Sequence, residues 1–120
     1  MKLLQFCFIL FVINIPLRSE LITQLSEKEK IVFLITTIKN EKECQFIRNG
    51  NTYSPVDAAI HLEMKWKKHE DKVLTVNDFI EIVGTKSNIT QQPYLVKFSD
   101  GKTQELAVYL RLKLRSQFGM

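Results

Sequence analysis

The sequence predicts an α+β fold in which about four helices pack on two short β-hairpins that form a small antiparallel sheet. Three observations lead to this class. Apolar residues recur at helical spacing in separate segments, short extended segments are paired across turn residues, and 120 residues suffice for a single domain. The predicted order of elements along the chain is α-ββ-α-α-ββ-α.

Residues 1–19 precede this domain and have the layout of a secretory signal peptide. Lys2 is followed by an apolar run, which Pro16 ends. A helical run of about 13 residues spans roughly 20 Å, less than the ~30 Å thickness of bilayer hydrocarbon. We therefore expect cleavage after Ser19, no stable membrane anchor, and a single exported domain over residues 20–120. An uncleaved membrane anchor is the alternative.

The first helix and the first hairpin carry strong local signals. The segment Ser26–Glu29 has the S-x-x-E form of a capping box, and apolar residues at helical spacing continue to about Lys39. The dipeptide Asn49-Gly50 separates the extended segments 44–48 and 51–53. A type I′ turn requires positive φ at both central residues, and Asn-Gly meets this requirement best.

The second helix is predicted to lie at the centre of the fold. Ser54 is its capping residue, and Pro55 occupies the first helical position, where a missing N–H has no cost. Apolar residues cover most of the circumference, as in a buried helix. One apolar stripe is Val56, Ile60 and Met64, another is Ala59, Leu62 and Trp66, and the polar arc is Asp57, His61, Lys65 and Lys68.

The remaining elements complete the predicted fold. Thr75 caps a third helix, which ends at Gly84 or shortly after it. Residues 93–98 and 102–105 favour a second hairpin, and residues 106–115 favour a closing helix. The predicted core face of the third helix is Val76, Phe79, Ile80 and Val83, and Ala107, Leu110 and Leu114 share one side of the closing helix.

A set of short motifs resembles a known family. The motifs are Phe46-Ile47-Arg48-Asn49-Gly50, Ala58 with His61-Leu62 and Lys65, Asp78-Phe79-Ile80, Ser87-Asn88-Ile89-Thr90, and Pro93-Tyr94. In this order, behind a signal peptide, they resemble the YfeK-like family of small exported bacterial proteins, a domain of unknown function. The resemblance covers about residues 31–114. It implies a periplasmic or secreted protein of a Gram-negative bacterium, and it implies no particular activity.

The polar arc of the second helix supplies the candidate site. The i, i+4 spacing stacks Asp57, His61 and Lys65 on one face, and a carboxylate or phosphate is a suitable ligand for nearby Arg48 and Lys65. The alternative is that these side chains form a solvated edge, or that Arg48 only stabilises the hairpin. The candidate binding residues are Arg48, Asn49, His61, Lys65, Ser87 and Tyr94.

Other chemistries are less well supported by the sequence. A thiolate at Cys44 needs a base, but no spacing brings His61 to it, and Cys44 in a strand-like run is expected to be buried. The histidines and Cys44 lack the spacing of zinc ligands. We therefore predict no catalytic residues, no metal and no cofactor.

The charge of the chain argues against nucleic acid as a partner. There are 17 basic and 13 acidic residues, a net charge of +4, and two of the basic residues lie in the leader. The basic run at residues 65–68 resembles a nucleic-acid or membrane patch, but Trp66 lies on an apolar stripe and acidic neighbours offset the charge.

These observations favour an uncharacterised exported protein that acts as a non-enzymatic binding or interaction module. Its partner is expected to be an envelope protein or a small anionic ligand. One alternative is an inhibitor or immunity-type envelope protein, by analogy with other small exported α+β domains. A small hydrolase or thiol enzyme is a less favoured alternative.

Overall fold

A computed structural model of the protein describes residues 25–120. The predicted leader and the predicted cleavage after Ser19 lie outside this range. Within the described range, no helix is both long and apolar enough to cross a bilayer.

The structure confirms the α+β class and the predicted order of elements. A π-helical segment, Phe79–Val83, continues the short third helix directly. The helices are α1 (Glu27–Lys39), α2 (Pro55–Lys68), α3 (Val76–Asp78) and α4 (Leu106–Phe118), and the strands are β1 (Gln45–Arg48), β2 (Asn51–Tyr53), β3 (Leu95–Lys97) and β4 (Thr103–Glu105).

The two hairpins join into one four-stranded antiparallel sheet of order β2-β1-β3-β4. The centre of the sheet is the pairing of β1 with β3, in which Phe46 lies opposite Val96. At the first turn, Asn49 and Gly50 have φ values of 52° and 76°, the positive values that the Asn-Gly signal predicts. Strand β3 is shorter than predicted, because Pro93 lies outside it in an isolated bridge with Lys86.

The predicted helix starts are confirmed by their hydrogen bonds. The Ser26 hydroxyl accepts from the backbone N–H of Glu29, whose carboxylate accepts from Ser26 in return. The Ser54 hydroxyl accepts from the N–H of Asp57, with Pro55 at the first helical position. These caps satisfy N–H groups that have no partner within a helix.

The core lies between the sheet and the helices. The predicted core face of the third helix is confirmed, since Val76, Phe79, Ile80 and Val83 are all buried. Cys44 is buried as well, as expected. Burial of each large aliphatic or aromatic side chain stabilises the fold by about 1.5–3 kcal/mol, so this layer is the main source of stability.

The third helix differs from the regular α-helix that the periodicity predicts. The N–H of Gly84 donates to the carbonyls of both Phe79 and Ile80, at 3.0 and 3.1 Å, which widens the last turn. A Cβ at Gly84 would lie 2.9 Å from a methyl carbon of Leu110. A larger residue here would require the Leu110 side chain to move, so glycine favours this close approach of the π-helical segment to α4.

The prediction that α2 is buried around most of its circumference is wrong for one of its two apolar stripes. Val56, Ile60 and Met64 are 47%, 51% and 65% exposed, whereas Lys65 on the predicted polar arc is only 7% exposed. Helix α2 packs against α1, β1 and the π-helical segment. Its buried face is centred on the small residues Ala58 and Ala59, which allow close packing, and this rotates the larger apolar stripe toward solvent.

Candidate functional site

The predicted site residues meet in a cleft of about 560 Å³ between the C-terminal half of α2, the end of β1 and the segment around residues 87–94. Its basic side chains are Arg48, His61, Lys65, Lys67, Lys68 and His69. The other lining residues are Met64, Ser87, Asn88, Ile89 and Tyr94. Among the residues that the structure describes, no acidic side chain lines this cleft, so its electrostatic character is cationic.

All of the predicted binding residues except Asn49 line the cleft. Asn49 instead accepts a hydrogen bond from the hydroxyl of Thr90, which ties the hairpin turn to the loop at residues 87–90. Asp57 also lies away from the cleft, exposed in the first turn of α2. The i, i+4 arc therefore reaches the cleft only at its His61 and Lys65 end.

Lys65 is the buried centre of the cleft. Its Nζ donates to the backbone oxygen of Lys86 at 2.8 Å and to the Tyr94 hydroxyl at 3.1 Å, and lies 4.9 Å from the centroid of the Tyr94 ring. An ammonium has three hydrogens, so these contacts leave one without an acceptor in the part of the protein that the structure describes. Burial, and then the charge of Arg48, lowers the pKa of Lys65 to about 8.

Tyr94 connects Lys65 to His61. The His61 Nε2 lies 3.5 Å from the Tyr94 hydroxyl, and the two rings meet edge to face at 6.0 Å. Burial raises the pKa of the Tyr94 hydroxyl, which therefore stays protonated. Burial first, and then the charges of Arg48 and Lys65, lowers the pKa of His61, so the imidazole is neutral at pH 7.

Backbone hydrogen bonds on both sides hold Tyr94 in place. Its N–H donates to the Thr85 carbonyl at 3.0 Å, and its own carbonyl accepts from Leu106 at 2.8 Å. The second contact joins Tyr94 to the first residue of α4. The hydroxyl that Lys65 and His61 share is therefore fixed by the fold rather than by a flexible loop.

Arg48 forms the sheet side of the cleft. Its Nη1 lies 3.5 Å from the Tyr53 hydroxyl, and its guanidinium carbon lies 6.0 Å from the Tyr53 ring centroid. Its Nε is buried and has no hydrogen-bond partner among residues 25–120. Leaving a buried donor unsatisfied costs about 1–3 kcal/mol. The ion pairs found within residues 25–120 all lie elsewhere, so neither Arg48 nor Lys65 has a carboxylate partner there.

Ser87 shapes the opposite wall. It is 1% exposed, and its hydroxyl oxygen accepts from the N–H groups of Ile89 and Thr90 at 3.2 and 3.4 Å. These bonds close the tight turn that carries Asn88 into the cleft. Asn88 Nδ2 in turn lies 3.5 Å from His69 Nε2, across the mouth of the cleft.

Sequence reasoning missed several members of the cleft. Lys68 was assigned to the polar arc and Lys67 to the basic run, but neither they nor His69 were among the predicted binding residues. Asn88 and Ile89 belong to an irregular turn whose position follows from Ser87 and the Lys86–Pro93 bridge. In the sequence, only the motif Ser87-Asn88-Ile89-Thr90 pointed to this side of the cleft.

The alternative chemistries gain no support from the geometry. Cys44 lies beside Lys97 and Phe98 rather than in the cleft with His61, and burial raises the pKa of its thiol. Among the described residues, no cluster of His, Cys, Asp and Glu suits a metal ion. Trp66 packs edge to face on Phe79 at 6.0 Å, so the aromatic ring within the basic run is partly buried against the core.

Comparison with known proteins supports the resemblance drawn from the motifs. The profile described as "Family of unknown function (DUF5329)" matches residues 25–117. The Uncharacterized protein YfeK of Salmonella typhimurium is 29% identical over 68 residues, which is 57% of this chain and 57% of the length of that protein. No solved structure matches the chain.

Proposed function

Because the chain belongs to the Family of unknown function (DUF5329), whose description assigns no activity, we propose a function from the cleft itself. The protein is an exported, non-enzymatic module that binds a small anionic ligand, a carboxylate or a phosphate monoester, between Arg48 and Lys65. The layout of residues 1–19 supports export, because an apolar run after Lys2 ends at Pro16 ahead of a small residue.

The unbalanced charge of the cleft is the observation that carries this proposal. Two cations, Arg48 and Lys65, border the same cleft, and within residues 25–120 the Nε of Arg48 is buried without an acceptor. Lys65 is only 7% exposed and its described partners are uncharged, so an anion would neutralise its charge while forming charge-assisted hydrogen bonds. Each such bond contributes about 1.5–3 kcal/mol.

The surrounding groups suit binding better than catalysis. Lys65 is held by two acceptors, the Lys86 carbonyl and the Tyr94 hydroxyl, which fix the direction of its remaining hydrogen. A neutral His61 supplies one further donor or acceptor beside Tyr94. Pre-positioned donors of this kind lower the ordering cost of binding.

Calorimetric titration with ethyl phosphate and with acetate tests the proposal. We expect binding in the wild type and a loss of roughly tenfold or more in Arg48→Gln, since a charge-assisted bond disappears. Arg111→Gln is the matched control, because Arg111 is an exposed arginine with a 3.8 Å contact to Glu81. Equal affinity in the two variants, or no binding of either anion to the wild type, would overturn the proposal.

A further inference from the structure

The apolar stripe on α2, formed by Val56, Ile60 and Met64, is exposed to solvent. These residues follow one another at i, i+4 spacing and are 47%, 51% and 65% exposed. The stripe covers two turns of α2, roughly 12 Å along the helix axis. A row of large apolar side chains on a helix is normally buried, and an exposed row marks a contact surface.

The Met64 end of this stripe lies at the rim of the cleft. Met64 is a member of both, since it ends the stripe and also lines the cleft beside Lys65. Across the opening, Ile89 is 83% exposed and lines the cleft as well. The cationic cleft therefore opens between two apolar side chains, one of which continues into the stripe.

We propose that the ligand is an amphiphile whose phosphate group binds in the cleft between Arg48 and Lys65 and whose aliphatic chain lies along Val56, Ile60 and Met64. The inference rests on the proposed anion site and specifies the class of ligand. The occupant is a single alkyl phosphate, not a bilayer and not a protein.

Charge complementarity favours a phosphate as the head group. The lining of the cleft carries several basic side chains, and the described residues contribute no acid to it. A phosphate monoester has three terminal oxygens, which match the donors of Arg48, Lys65 and Asn88 better than a two-oxygen carboxylate does. The uncharged side chains of the stripe match hydrocarbon.

The size and borders of the stripe favour a single chain over larger occupants. Three side chains are far fewer than the roughly 20–30 residues that each partner contributes to a stable protein interface. Exposed Asp57 and Glu63 lie three residues before and after Ile60, on either flank of the stripe. These charged borders confine the apolar surface to a single row of side chains, which suits one hydrocarbon chain.

Titration with alkyl phosphates of increasing length tests this inference. Ethyl, butyl, hexyl and octyl phosphate are used below the concentrations at which they form micelles. A fully buried methylene raises affinity about fourfold, and a methylene half covered by an open stripe raises it about twofold. We therefore expect the affinity of the wild type to rise about twofold per methylene from ethyl to octyl phosphate.

The double variant Val56→Ser/Ile60→Ser is expected to remove most of this dependence on length while it binds ethyl phosphate as the wild type does, because neither residue lines the cleft. Both positions are about half exposed, so the fold tolerates the changes. Leu112→Ser is the matched control, because Leu112 is a 49% exposed apolar residue on α4. It is expected to retain the full dependence on chain length.

The outcomes separate this inference from the proposed function. Ethyl phosphate binding that is lost in Arg48→Gln, with no dependence on chain length in the wild type, overturns the amphiphile and leaves the anion site. Binding of none of the phosphates overturns both. Stripe-dependent binding to phosphatidylglycerol vesicles without binding of monomeric octyl phosphate, or a stripe-dependent dimer in sedimentation, also overturns the amphiphile.

Discussion

Two buried tyrosines of this protein belong to polar clusters that differ in charge balance. The Tyr109 hydroxyl donates to the Glu41 carboxylate at 2.6 Å. The Nζ of Lys113 lies 4.0 Å from the same carboxylate and 5.1 Å from the Tyr109 ring centroid. Burial, and then the hydrogen bond to Glu41, raises the pKa of Tyr109. In this cluster a hydroxyl, an acid and a base satisfy one another.

In the described part of the chain, the cluster around Tyr94 contains a hydroxyl, the two cations Lys65 and Arg48 and a neutral His61, without an acid. Lys65 donates to Tyr94 and to a backbone carbonyl, while the Nε of Arg48 has no acceptor among the described residues. Burial raises the pKa of Tyr94, as it does for Tyr109. Burial alone therefore does not separate a structural cluster from a binding site. The difference lies in the charge that the fold leaves uncompensated.

The largest expected effect is on binding at the Tyr94 cluster. Lys65→Met replaces the buried ammonium with an uncharged side chain of similar length that cannot donate a hydrogen bond to an anion. We expect ethyl phosphate to bind about 10- to 100-fold more weakly, the loss of one charge-assisted bond. Calorimetry measures the affinity, and a thermal melt close to that of the wild type verifies the fold. Retained affinity in a folded variant would refute the account of this cluster.

Tyr109→Phe tests the second cluster, which we expect to contribute to stability rather than to binding. Loss of the hydroxyl removes a short hydrogen bond to a carboxylate, and we expect the free energy of unfolding to fall by about 1–2 kcal/mol. Affinity for ethyl phosphate should not change, because Tyr109 is remote from the cleft lining. Urea denaturation measures the first quantity. A change in affinity without a change in stability would contradict this account, in which Tyr109 stabilises the fold and Tyr94 belongs to the binding site.

The pH dependence gives a third, smaller effect. The pKa of Lys65 in the folded protein is about 8, below the ordinary value of 10.5. Sulfate keeps its charge throughout this range, so only the protein titrates. We expect sulfate affinity to fall several-fold between pH 7 and 9.5 as Lys65 loses its proton. Calorimetry of Lys65→Met over the same range provides the control and should show a much weaker dependence.

Whereas sulfate affinity falls between pH 7 and 9.5, the contribution of Lys65 to the stability of the ligand-free protein should rise with pH. Between pH 8 and the unfolded pKa of 10.5, the unfolded chain binds the Lys65 proton more tightly than the folded chain. The contribution of Lys65 to stability therefore rises with pH in this window. Urea denaturation at pH 7 and pH 9, in the wild type and in Lys65→Met, measures this contribution. We expect the difference in free energy of unfolding, wild type minus Lys65→Met, to increase from pH 7 to pH 9. A decrease would contradict a buried Lys65 with a lowered pKa.

The smallest expected effect belongs to the compensated cluster. Lys113 is 40% exposed and lies 4.0 Å from Glu41, so solvent screens their attraction. We expect Lys113→Met to lower the free energy of unfolding by less than about 1 kcal/mol, as is typical of a surface ion pair. The measurement is a urea denaturation at low and at high salt. A larger loss would show that Lys113 and Glu41 form a buried pair in solution.

Local signals in the sequence were sufficient to predict most of the fold. The S-x-x-E box at Ser26, the Asn49-Gly50 turn and the Ser54-Pro55 cap each fix a boundary through hydrogen bonds between near neighbours. The structure retains all of them. The main departure in helix type is the π-helical segment, which ends at Gly84, a residue that lies against Leu110 of α4.

The candidate site was predictable in part, for a related reason. Helical spacing paired His61 with Lys65, and the motifs added Arg48, Ser87 and Tyr94. The burial of Lys65 was not predictable, since a helical wheel places lysine on the solvent side unless another segment covers it. That cover comes from the backbone of Lys86 and the ring of Tyr94, and both contacts cross more than 20 positions of the chain.

The pKa of Lys65 with and without ligand tests the anion site most directly. The Nζ and Cε resonances of Lys65 report its protonation, and an anion bound beside the ammonium must raise its pKa by linkage. The account predicts a pKa near 8 in the free protein and a clear increase at saturating sulfate. The increase should be much smaller in Arg48→Gln at the same sulfate concentration. A Lys65 pKa that sulfate leaves unchanged in the wild type would contradict it.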